Sequence, residues 1–200
     1  MFPLLETIRI ESGRLQLIEF HNKRFNGTRR KWYGVDSDLN LEDIIKMPAD
    51  SESFRYKCRV LYNDKQEQIE ITPYRQRVVS SVKIVVADDI DYKFKTADRT
   101  SLNRLFEQRE QCDDIIIVKN GMLTDSLAAN LLFFDGKRWY TPDTPLLKGV
   151  QRDYLLAAGK IAEKSIPLSE IAQYSKMRLI NAMIDFERAP ELDVTRDVFF

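Results

Sequence analysis

The spacing of apolar residues changes character near residue 90, and no single layer of secondary structure accommodates both patterns. Before the change, residues 4–10 and 14–18 alternate polar with apolar around Glu11-Ser12-Gly13, which predicts a β-hairpin with a glycine turn. Residues 19–32 space Phe20, Phe25 and Trp32 among basic side chains, an amphipathic helix stopped by Gly34. Residues 54–62 and 67–73 predict a second hairpin about Asn63-Asp64-Lys65, and 81–87 is a β-branched run. After the change, residues 100–111 carry Leu102, Leu105 and Phe106 at helical spacing, and 113–119 is a short apolar strand ended by Asn120-Gly121. Leu123 and residues 130–134 add strand, Asp135-Gly136 marks a turn before Trp139-Tyr140, and 149–164 reads as one long helix ahead of Ile166-Pro167. The chain therefore reads as an α+β protein of two domains. Residues 1–90 form a mostly antiparallel N-terminal α+β domain and residues 91–200 a C-terminal α/β domain.

Two hundred residues can bury a sizeable core in one large domain or two small ones. Lysine plus arginine number 31 and aspartate plus glutamate 31, so no net field draws the protein to nucleic acid or to an anionic membrane. The basic run Lys23, Arg24, Arg29, Arg30 and Lys31 beside Trp32 and Tyr33 mimics a nucleic-acid patch, but the balanced charge argues against one. Cys58 and Cys112 lack the spacing of a metal site and the density of a disulfide scaffold, which points to core thiols in a reducing cytoplasm and to no bound metal. No window approaches the length of a membrane span, and the start has no basic stretch followed by an apolar run.

Three short segments carry chemistry. Lys95-Thr96-Ala97-Asp98-Arg99 offers an amine at a loop end, and Thr124-Asp125-Ser126-Leu127-Ala128-Ala129-Asn130 offers a carboxylate just after a strand. Leu147-Lys148-Gly149-Val150-Gln151-Arg152 opens a helix with a glycine, where backbone N–H groups can receive an anion. In that order they match the needs of pyridoxal 5'-phosphate (PLP): an amine for a Schiff base, a carboxylate to hold the ring nitrogen protonated, and a helix start for the phosphate. Each piece also has a plainer reading. Lys95 could be a solvated lysine, and Lys93 competes with it for the amine role. Asp125 could be a turn residue, Asn130 a support for local backbone, Arg24 part of a solvated basic face, and His21 a structural histidine.

Together these residues resemble the class IV aminotransferases, PLP enzymes of fold type IV that include branched-chain and D-amino acid aminotransferases and aminodeoxychorismate lyase. The likeness covers nearly the whole chain. Lys95-Thr96-Ala97-Asp98-Arg99 is similar to the Lys-x-x-Asn-Arg segment of the lyase branch, and Asn181-Ala182-Met183 to its Asn-Ala-Leu/Met motif. Glu6-Thr7-Ile8-Arg9 and His21-Asn22-Lys23-Arg24 also match. The resemblance implies a two-domain, D-amino acid aminotransferase-like fold with a shortened N-terminal segment, a homodimer, and a small-molecule amine as substrate. It implies Lys95 as Schiff-base lysine and proton carrier, with Arg24, Asp125, Gly149, Val150, Gln151 and Asn181 as further cofactor contacts. Arg59, inside a predicted strand, would meet a substrate carboxylate. Two positions depart from the family: Asp125 stands where relatives carry glutamate, one methylene longer, and Gln151 replaces the threonine of Gly-Ile-Thr-Arg. The implied activity is conversion of 4-amino-4-deoxychorismate to 4-aminobenzoate and pyruvate. The alternatives are a branched-chain or D-amino acid transaminase and a PLP-binding homologue that has lost turnover.

Overall fold

Strand β1 (Leu4–Glu11) turns back on β2 (Arg14–Leu15) through Ser12 and Gly13, at φ 52° and 66°. Two successive positive φ values give a turn whose twist matches a hairpin, and Gly13 adopts one without steric cost. The second strand is shorter than its alternation predicts, because Leu17 takes a left-handed conformation and starts helix α1 (Ile18–Tyr33). Gly34, at φ 68°, ends that helix and donates its N–H to Arg30 O, as its position in the sequence predicts. A short helix α2 (Leu41–Ile44), without a clear sequence signal, precedes strands β3 (Tyr56–Tyr62) and β4 (Glu67–Pro73). Asn63 Oδ1 accepts from the N–H groups of Lys65 (2.9 Å) and Gln66 (2.8 Å), which fixes the turn between them. These strands form an antiparallel sheet in the order β2-β1-β3-β4. Its buried face carries Leu4, Ile8 and Ile10 of β1 and Cys58, Val60 and Tyr62 of β3, packed with Phe25 and Leu41.

The computed structural model describes residues 3–200. They divide into two units: residues up to Gln76 with Phe94–Asp98, and Arg77–Lys93 with Arg99–Phe200. This differs from a boundary at residue 90. The Lys95 segment belongs to the first unit because its backbone lies along β1, with Leu5 N–H on Lys95 O (2.9 Å) and Ala97 N–H on Pro3 O (2.8 Å). Phe94 also stacks edge-on against Trp32, 5.0 Å between centroids.

The second unit contains β5 (Val82–Val86), α3 (Thr100–Phe106), β6 (Asp114–Lys119), β7 (Met122–Leu123), β8 (Asn130–Phe134), β9 (Trp139–Pro142), α4 (Val150–Ala157), β10 (Ala162–Lys164), β11 (Lys176–Ile180), β12 (Glu191–Asp193) and β13 (Val198–Phe199). One sheet runs β13-β5-β6-β7, with β5 parallel to β6 and to β13; the other runs β10-β9-β8-β11-β12. The unbroken apolar run of β6 follows from burial on both faces: Ile116 and Val118 enter one core cluster, Ile115 and Ile117 another. The single helix predicted over 149–164 is cut at Ala157. Gly159, at φ 66°, donates to Leu156 O, Lys160 N–H bonds Leu155 O, and residues 162–164 pair in parallel with β9 instead. Cys58 is a buried thiol and Cys112 only half-buried. Among the described residues no helix is long and apolar enough to cross a membrane, and no cluster of three or more His, Cys, Asp or Glu could hold a metal.

Candidate active site

In the first unit the alternation of β1 puts Glu6 on the same face as Leu4 and Ile8, a charged group among apolar neighbours. A fully buried carboxylate needs partners, and α1 supplies two, three residues apart on one helix face. Arg24 Nε donates to Glu6 Oε1 (2.8 Å) and Nη2 to Oε2 (2.6 Å), while His21 Nδ1 lies 2.6 Å from Oε2. Burial alone would raise the Glu6 carboxyl; Arg24 and His21 more than offset it and hold its pKa at about 2. Burial holds His21 below its ordinary value despite Glu6, so the ring is neutral, donates from Nδ1 to the carboxylate, and keeps Nε2 as a buried acceptor. Arg24 is thus a fixed, ion-paired guanidinium and not part of the solvated basic face formed by Lys23, Arg30 and Lys31.

Lys95 is partly buried, in the stretch that lies along β1, and its positive charge reaches His21. Lys93 is 79% exposed with Nζ 3.5 Å from Asp91. An amine held out in solvent beside a carboxylate has no enclosing pocket for a cofactor, so Lys93 is the poorer candidate for the Schiff base. Arg59 pairs across the sheet with Glu70 (2.7 Å), each about a third exposed.

In the second unit Asp125 follows β7 as a buried carboxyl, its main-chain oxygen tied to Ile117 N–H (2.8 Å). Oδ1 accepts from Asn130 Nδ2 (2.7 Å) and Oδ2 from Leu147 N–H (2.9 Å). Burial raises its pKa to about 7 in spite of those bonds. Two residues beyond Leu147, Gly149 starts α4 with no side chain to cap it, and Val150, Gln151 and Arg152 are buried behind it. The Arg152 guanidinium is engaged by Glu163 and by Pro142 O (3.1 Å). Asn181 donates to Ala128 O (3.1 Å) and accepts from Met183 N–H (2.9 Å), which braces the loop following Asp125. In that loop Ser126 Oγ is buried and has no hydrogen-bond partner among the described residues. Asp125, Gly149, Val150, Gln151 and Asn181 therefore share the second unit, and Arg24 and Lys95 the first. Sequence reasoning missed the Glu6 clamp, although a glutamate on the apolar face of an alternating strand is a readable sign of a buried partner.

A family model for class IV amino-transferases matches residues 3–189. An uncharacterized protein of Haemophilus influenzae is 42% identical over 185 residues, which cover 92% of this chain and 98% of that one. A chain from Haemophilus somnus 129PT, proposed to be a 4-amino-4-deoxychorismate lyase, is 39% identical and superposes with a TM-score of 0.87 over 92% of this chain and 97% of its own. A hypothetical aminotransferase from Mycobacterium tuberculosis, in its PLP-bound form, shares the fold at a TM-score of 0.75 and 14% identity, over 99% of this chain and 84% of that one. With the match running over nearly its whole length, the chain belongs to the class IV aminotransferase family and is an enzyme of the α+β, fold-type IV class.

Proposed function

We propose that this protein binds PLP and converts 4-amino-4-deoxychorismate to 4-aminobenzoate and pyruvate. The observation that carries this reading is the 39% identity to the Haemophilus somnus chain proposed to be that lyase. Lys95 followed by Asp98-Arg99, and Asn181-Ala182-Met183, support the same branch.

The residues present fit the cofactor. Asp125 offers a buried carboxyl whose ionisation needs a cationic partner, and Ser126 Oγ is a buried hydroxyl without one. Gly149 leaves the first-turn N–H groups of α4 to an anion, where the helix dipole also favours negative charge. Lys95 would hold the cofactor aldehyde carbon, Asp125 the ring nitrogen, and the Gly149-Val150-Gln151 turn with Arg24 the phosphate. PLP, when bound, supplies a ring that stabilises negative charge at the carbon bearing the substrate amine.

With the cofactor in place, the Lys95 ε-amine would be the base that takes the proton from the carbon bearing the substrate amine. Asp125 would accept a hydrogen bond from a protonated ring nitrogen, and a cation placed there would lower the carboxyl from about 7 and favour the carboxylate. The enolpyruvyl group then leaves and takes a proton to become pyruvate, and the remaining ring becomes aromatic. All atoms of the substrate are recovered in the two products, so no amino acceptor is consumed. The reading extends to a cytoplasmic homodimer serving folate biosynthesis. Supplying the PLP-loaded protein with 4-amino-4-deoxychorismate and no keto acid, and following 4-aminobenzoate by its fluorescence, should show sustained turnover. Turnover that continues only after a keto acid is added, without 4-aminobenzoate, would assign a transaminase instead.

A further inference from the structure

We infer that Asn130 is a positioning residue whose one side-chain amide sets both the Asp125 carboxylate and the Gly149 turn. The inference rests on assigning those two elements to PLP. Asn130 is 5% exposed and spends its Nδ2 hydrogens in two directions, on Asp125 Oδ1 (2.7 Å) and on Leu147 O (2.9 Å). Leu147 N–H in turn donates to Asp125 Oδ2 (2.9 Å). The three residues thus close a ring of hydrogen bonds that fixes the plane of the carboxylate by holding each oxygen separately. Asp125 and Asn130 also face each other as an isolated β-bridge, with Ser126 N–H on Ala129 O (2.8 Å) across the loop between them.

The remaining atom of the amide accounts for the glycine. Gly149 sits at φ −77° and ψ 146°, an extended conformation open to any residue, so backbone freedom does not require glycine there. Space does. A Cβ on residue 149 would overlap Asn130 Oδ1 and lie 3.3 Å from its Cγ. The start of α4 therefore packs directly on the amide that orients Asp125. An aspartate at 130 would lose both donors and set a second carboxylate against Asp125. A leucine would leave Leu147 O and Asp125 Oδ1 each short of a partner in a buried place.

The test uses the full chain carrying Asn130→Ala, Gly149→Ala or both. Three quantities are read: the NMR titration of the Asp125 carboxyl carbon without PLP, the thermal midpoint without PLP, and the equilibrium affinity for PLP. Asn130→Ala should move the Asp125 titration upward by roughly one unit, because a bond favouring the ionised form is lost, and weaken PLP by about tenfold. Gly149→Ala should lower both the thermal midpoint and PLP affinity. Once Asn130 is alanine, adding Gly149→Ala should lower the thermal midpoint no further, since the overlapping oxygen is gone, while the affinity stays weakened. A general packing role for Asn130 would not move the Asp125 titration. If Asn130→Ala does not fold, Asn130→Ser, which keeps one short donor, carries the same readouts. An unshifted Asp125 titration, or a Gly149→Ala protein as stable as the parent while Asn130 is present, overturns the inference. Failure of the parent itself to bind PLP would overturn the functional reading instead, and the titration and the paired substitutions would still decide the role of Asn130.

Discussion

Replacing Asp125 with asparagine should stabilise the PLP-free protein in mild alkali while abolishing most of its catalysis. Burial raises the Asp125 carboxyl from 3.8 to about 7, with Leu147 N–H and the Asn130 amide acting against it. Because the folded pKa lies above the unfolded one, the folded state holds its proton more tightly. The stability this confers is complete below the unfolded value and is lost as pH rises through about 7. Integrated from pH 5 to pH 8, a shift of that size removes roughly 2.5 kcal/mol from the parent, a large part of the stability of an ordinary domain. Asparagine has nearly the same shape and no charge to desolvate, so it escapes this loss. It does turn one N–H toward Asn130 Nδ2, at a cost of about 1 kcal/mol that does not vary with pH. Urea denaturation of parent and variant at pH 5, 6, 7 and 8 should therefore show the difference growing in favour of asparagine by roughly 2.5 kcal/mol. A difference that stays flat with pH would mean that the carboxyl ionises freely in the folded protein, and the argument from burial would fail. The catalytic loss follows because a neutral amide cannot hold the ring nitrogen protonated, so the residue sacrifices stability for function.

Glu6 should show the opposite slope. Its carboxyl, held at about 2 by Arg24 and His21 against burial, contributes stability that is present above 4.5 and lost on acidification, roughly 2 kcal/mol of it by pH 3. Glu6→Gln, already weakened at pH 7 by stranding Arg24 and His21, should lack that acid limb in a urea titration; a parental limb would contradict the clamp. Arg59→Ala should cost under about 1 kcal/mol of stability, as its pairing with Glu70 is solvent-screened, yet raise KM with PLP affinity unchanged; an unaltered KM would remove Arg59 from the substrate site. Light scattering should report twice the chain mass, and a fully active monomer would rule out the homodimer.

The first hairpin, α1 and the second hairpin are legible because Gly13, Asn63 and Gly34 mark their turns and ends chemically. The segments around Asp125 and Gly149 are legible as motifs, yet not the amide of Asn130 that joins them, since hydrogen bonds to Leu147 and packing on Gly149 link points distant in sequence. The long helix after Gly149 misleads because a single glycine inside a helical pattern reads as tolerated, whereas Gly159 adopts the left-handed conformation that ends it. The placement of Lys95 in the first unit depends on backbone bonds to Pro3 and Leu5, and no local pattern encodes a pairing over that separation. The parallel pairing of β5 with β6 is hidden for the same reason. Arg59 is legible as an arginine that needs a partner in a strand, but its cross-strand neighbour Glu70 is set by the register with β4, which the sequence does not display.

Covalent trapping of the cofactor tests the account most directly. PLP-loaded protein reduced with borohydride, digested and mapped by mass spectrometry should carry the pyridoxyl phosphate group on Lys95 alone. Lys95 is partly buried within reach of the His21 site, while Lys93 is exposed beside Asp91. Label on Lys93, or on no lysine of that segment, would contradict the assignment.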